Sequence, residues 1–123
     1  MSFPMPEFVD VGPYTIPIIN DASEMKRERR EYNDPGIQGL FRSTPHVIIL
    51  DPDTDLSRQR SILLHEVRHA VWAYLSMDLD VNTPTEKATY TEEEVIRRET
   101  PALLDTLRRN PDLVQFIMDT AIQ

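Results

Sequence analysis

The run Ser61-Ile62-Leu63-Leu64-His65-Glu66-Val67-Arg68-His69-Ala70-Val71-Trp72 sets the pattern His-Glu-x-x-His inside an apolar helical sequence. Residues four apart on a helix lie one above the other on one face, so His65 and His69 can offer two imidazole nitrogens to one tetrahedral metal ion. Glu66 stands beside them, where its carboxylate can reach the open coordination position and take a proton from water. That is hydrolytic chemistry. Leu63, Leu64, Val67, Ala70, Val71, Tyr74 and Leu75 cover most of the circumference, with Ile62 and Trp72 on the histidine face, so the helix is expected to be central and buried. Two histidines and a glutamate in that setting are costly unless they hydrogen-bond or bind metal, and one ion satisfies all three. The plainer alternative is a pair of satisfied core histidines beside a solvated glutamate.

Upstream, Asp51-Pro52-Asp53-Thr54-Asp55 supplies the start of this helix, with Asp55 or Ser57 as N-cap and the helix running to about Met77. Its three aspartates lack the glycine and distant bidentate glutamate of a calcium loop, so turn and cap duty is expected. Ile37–Phe41 and His46–Leu50, separated by Arg42-Ser43-Thr44-Pro45, read as a β-hairpin. Tyr14–Asn20 is rich in β-branched residues and reads as a strand, which Pro17 pushes toward an edge. That edge is either ordinary or a rail on which a peptide docks as an added strand. Asp21–Glu31 reads as a charged, solvated helix capped by Asp21 or Ser23. Residues 1–13, with Pro4 and Pro6, read as an irregular arm.

Downstream, Asp78–Tyr90 is polar, carries Pro84, and is expected to be a loop near the rim of the cleft. Thr91-Glu92-Glu93-Glu94 then opens a helix, with Thr91 and Glu94 forming a capping box and three acids complementing the helix dipole. A carboxylate here would complete a two-histidine, one-glutamate site, although acidic first turns also arise from capping alone. Glu93 falls on a helical stripe with Ile96, Thr100, Leu103 and Leu107, so it is expected to point inward as the third ligand. Glu92, on the face of Val95, Glu99 and Ala102, is the alternative, and His46 is a further conceivable ligand. Pro101 interrupts this helix, Asn110-Pro111 ends it, and a last helix packs back through Leu113, Phe116 and Ile117.

At 123 residues the chain is expected to be a single α+β domain over 1–123, a small sheet of about three strands packed on the central helix plus two C-terminal helices. It has no cysteine, which removes disulfides and thiol nucleophiles. A net charge of −8 argues against nucleic acid as the main partner, and three glycines are too few for a phosphate-cradling loop. No run is long and apolar enough for a membrane, and the opening Met-Ser-Phe-Pro-Met-Pro-Glu lacks the parts of a signal peptide, so a cytoplasmic chain is expected.

The order of strand, short loop, helix with Leu-Leu-His-Glu-Val-Arg-His-Ala, loop, and Glu-Glu-Glu-Val at a helix start resembles the compact gluzincin-type zinc metallopeptidases. It is similar in particular to their minimal phage-encoded members and to ImmA/IrrE-like peptidase domains, over roughly residues 37–118. The resemblance implies a zinc ion held by His65, His69 and a downstream glutamate, with Glu66 as general base and a protein or peptide as substrate. The chain departs from the pattern in lacking a helix-turn-helix segment and a Glu-x-x-x-Asp in the third-ligand helix. An oxyanion donor is still needed, and Tyr90 or Tyr74 is the candidate. Two readings of other classes compete: a non-catalytic zincin-like module whose metal is structural, and a metal-free helical adaptor.

Overall fold

The computed structural model describes residues 3–43, 45–77 and 90–120. At its centre lies strand β4 (His46–Leu50), paired on both sides in a four-stranded sheet of order β1-β2-β4-β3. Strand β1 is Phe8–Val11, β2 is Tyr14–Asn20 and β3 is Gly39–Ser43. The expected hairpin is β3–β4, antiparallel, with Gly39 opposite Leu50 and Ser43 opposite His46. Its first strand begins two residues later than the apolar run, where the Ile37 carbonyl accepts instead from Arg29 Nε at 2.9 Å. The α+β class stands, with four strands where about three were expected.

Two expectations about the N-terminal part are corrected. Residues 1–13 are not all an irregular arm, because Phe8–Val11 pairs with β2 through a two-residue turn at Gly12-Pro13. Gly12 takes φ +55 there, and a Cβ on it would meet the Tyr74 ring at 2.5 Å, so glycine is required twice over. Strand β2 is interior, antiparallel to β1 and parallel to β4. Ile18 N–H donates to Glu7 O, so the nitrogen of Pro17 faces away from β1, toward a side where pairing with β4 begins only at Ile18. The missing donor of Pro17 therefore disturbs no ladder.

Alternation along β4 divides the core between the two faces of the sheet. Ile48 and Leu50 join Val9, Val11, Ile16 and Ile18 against helix α2 (Leu56–Tyr74) and helix α4 (Pro111–Met118). Val47 and Ile49 pack on Met25 of helix α1 (Ala22–Glu31). Asp21 caps α1 through Glu24 N–H at 3.0 Å, and Asp55 caps α2 through Arg58 N–H at 3.0 Å. Helix α2 stops at Tyr74, short of Met77, because Ser76 turns left-handed at φ 56 and Met77 N–H reaches back to Trp72 O. Helix α1 is less solvated than its charge suggests, since Glu28 is fully buried and pairs with Arg42 at 2.6 Å.

Helix α3 (Glu92–Arg109) is capped by Thr91 and runs unbroken through Pro101. Its inward face differs from the expected stripe. Glu93 and Thr100 are exposed and Ile96 is half in solvent, whereas Glu99 and Thr106 are buried and Ala102, Leu103 and Leu107 pack on the core. The polar residues can turn inward because each finds a partner, Thr106 in the Ala102 carbonyl and Glu99 on α2. In α4, Leu113 and Phe116 are buried as expected and Ile117 is half-buried. Residues 78–89 of the expected rim loop lie outside the described residues, and among the described residues no helix is long and apolar enough to cross a membrane.

Candidate metal centre

Helix α2 is drawn against the sheet by Leu63, Val67, Ala70 and Val71, all buried, which turns the His65 face toward the free edge of β3. Contact there is close: a Cβ on Gly39 would lie 2.3 Å from Ile62 Cγ2, so only glycine lets the strand approach the helix. A cleft of about 370 Å³ opens between His65, Glu66 and His69 on the helix and Gly39, Leu40 and Phe41 on the strand, with Tyr32 and Ile37 also on its wall.

His65, Glu66 and His69 have ligand atoms all within 4.8 Å of one another. The Nε2 atoms of the two histidines face each other at 3.2 Å. Two nitrogens bound to one tetrahedral zinc would be separated by about 3.3 Å, so the rings already stand at a spacing that an ion fits. Their burial is the reverse of the satisfied-core alternative, with His65 exposed, His69 half-buried and Glu66 only 6% exposed. Burial pushes the Glu66 carboxyl up to about 7, partly opposed by the Phe41 backbone N–H, which donates to it. A carboxyl poised near neutrality, beside paired imidazoles and open to a cleft, can accept and return a proton.

The other residues expected at the site are placed elsewhere. Glu93, expected inward as the third ligand, is exposed on the first turn of α3, and neither it nor the equally exposed Glu92 belongs to the histidine group. The facing argument misplaced Glu93 because only the C-terminal part of the stripe it followed, Leu103 and Leu107, packs on the core, while Glu93, Ile96 and Thr100 face solvent. His46 lies against the ring of Tyr14, tilted at 4.4 Å, and against that of Phe41, stacked at 5.8 Å. Tyr90 lies beneath the Arg98 guanidinium at 4.9 Å, Tyr74 packs on Gly12, and neither lines the cleft.

What sequence reasoning missed is the role of Glu99. Its buried carboxylate accepts from Arg68 Nε at 2.5 Å, Arg68 Nη2 at 3.1 Å and Trp72 Nε1 at 2.7 Å. The Arg68 hydrogen bond, aided by that of Trp72, holds the Glu99 carboxyl below the usual range despite its burial. Trp72 in turn sets its ring edge-on to His69, with centroids 6.0 Å apart. The signal was present as two polar side chains, Arg68 and Trp72, spaced four apart on an apolar helix with no acid three or four residues from either on that helix. Comparison with known proteins finds no match, whether among family models, curated proteins or solved structures.

Proposed function

We propose that this chain is a zinc-dependent metallopeptidase, hydrolysing a peptide bond in a protein or peptide substrate. The observation that carries the reading is the facing pair of Nε2 atoms at 3.2 Å with a buried, proton-accepting Glu66 in the same cleft. His65 and His69 would hold the ion, whose chemistry when bound is to acidify water and polarise a carbonyl. Glu66 takes the proton of the attacking water and delivers it to the leaving amine. Glu99 keeps Arg68 and Trp72 in place beside His69, so the histidine ring is held by packing rather than left free. The peptide rail belongs to β3 rather than β2, because β2 is paired on both sides and, among the described residues, β3 is the edge strand on the cleft.

One observation favours a second reading. Among the described residues the third ligand grouped with the histidines is Glu66 itself, and an ion taken by all three would be structural, with no base left, in a non-catalytic protein-binding module. Zinc content per chain in wild type, His65→Ala and Glu66→Gln separates the two. The peptidase reading expects about one zinc in wild type and Glu66→Gln, none in His65→Ala, and casein hydrolysis lost in Glu66→Gln. Loss of zinc from Glu66→Gln would give the structural reading, and a wild type without zinc under metal-replete conditions would end both.

A further inference from the structure

The edge of β3 that no described strand pairs lies between the two faces of the sheet, and the cleft is walled from both. His65, Glu66 and His69 belong to α2, on the face where Phe41 packs into the main core. Ile37 and Leu40 belong to the opposite face, where they pack beside Met25 of α1, and Tyr32 caps the C-terminal end of that helix. In the β3–β4 register Gly39, Phe41 and Ser43 turn their N–H and C=O groups away from β4, consistent with Phe41 N–H reaching Glu66 and Gln38 O reaching Asp51 N–H. A peptide laid along this edge therefore has a defined placement. Its successive side chains alternate, one toward the histidines and the next toward Tyr32, Ile37 and Leu40.

We infer that Tyr32, Ile37 and Leu40 form a specificity subsite that selects a large apolar side chain, such as leucine or phenylalanine, in a peptide bound along β3. The inference rests on the metallopeptidase reading and adds the substrate class. All three residues line the same cleft as the histidines, and none carries charge. Ile37 and Leu40 are half-buried, each keeping part of its surface open, while Tyr32 is 59% exposed on the cleft wall. An acidic or basic side chain placed there would lose hydration against three uncharged side chains, since Arg42 is already paired with Glu28 and Arg29 with Asp51, whereas an apolar one replaces water on three apolar surfaces. Discrimination arises from that difference.

Calorimetric binding of N-acetyl tripeptide hydroxamates to the zinc-loaded chain, varied one position at a time among Ala, Asp, Lys, Leu and Phe, tests this. Leu and Phe are expected to bind at least about ten-fold tighter than Asp or Lys at positions two apart, with little preference between them. Tyr32→Asp, at a position exposed enough not to threaten folding, should move the preference toward Lys while zinc content stays at wild-type level. Leu40→Thr should weaken the preference for Leu without reversing it. If acetohydroxamate binds the zinc-loaded wild type but the tripeptides show no alternating preference, or Tyr32→Asp keeps the wild-type order, the subsite is wrong and the peptidase reading stands. If wild type takes up no zinc, the peptidase reading fails and the subsite with it.

Discussion

Glu66 is a carboxyl held where water barely reaches, and its protonation sets how the metal-free chain responds to pH. Burial lifts it from 4.5 to about 7, so between those values the folded chain binds a proton that the unfolded chain has released. Its contribution to stability is therefore full below about 4.5 and is lost as pH rises through about 7. A displacement of that size corresponds to about 3 kcal/mol. Glu66→Gln removes the titration and leaves a side chain that can still accept from Phe41 N–H. In the presence of a chelator the variant should be more stable than wild type by about 3 kcal/mol near pH 8, with the gap narrowing steeply toward about pH 5. Urea unfolding of both proteins across that range measures it. A gap that does not change with pH would mean Glu66 is not buried as a carboxyl in the folded chain. The pairing of His65 and His69 was legible from their spacing alone, but that Glu66 would be the buried member was not, since a helix position beside two histidines does not announce which way it faces.

Between elements, small polar joints decide how the pieces meet. Asn110 is buried between α3 and α4, accepts from Asp10 N–H at 2.8 Å, and donates to Asp10 O at 2.8 Å and Thr106 O at 2.7 Å. One side chain thus ties β1 to the junction of the last two helices. Asn110→Ala should cost about 2–3 kcal/mol, because buried backbone groups lose their partners. Asn110→Asp should cost at least as much, since it sets an acceptor against two carbonyls. Denaturant midpoints decide, and a loss under about 0.5 kcal/mol for both would show the joint to be dispensable. The sequence announced Asn110-Pro111 as a helix boundary, because proline cannot continue a helix, but not its partner a hundred residues earlier. The face of α3 was hidden for a related reason. Ile96 reads as core by hydrophobicity, yet Glu99 goes inside because Arg68 and Trp72 wait for it on α2, and no pattern within α3 reports them.

For the molecule as a whole, the α+β class follows from one apolar helix set after a hairpin of apolar strands, both of which are local signals. Sheet order is not local. Strand β2 becomes interior only through its parallel pairing with β4, across an intervening helix and strand, and β1 is too short for its alternation to stand out. Among the described residues the outcome leaves β3 as the edge strand, the border of the sheet beside the cleft. Such a border recruits other chains as readily as it recruits a peptide, and self-association by strand addition is the hazard that attends it. Glu66 occupies the Phe41 N–H at the middle of that border. That contact takes one donor of the border, which any added strand, peptide or second copy, has to displace. Glu66→Ala, which cannot accept a hydrogen bond, should sediment as larger species than wild type as concentration rises, while Glu66→Gln should match wild type. Identical sedimentation of all three would show that the border is guarded by something else.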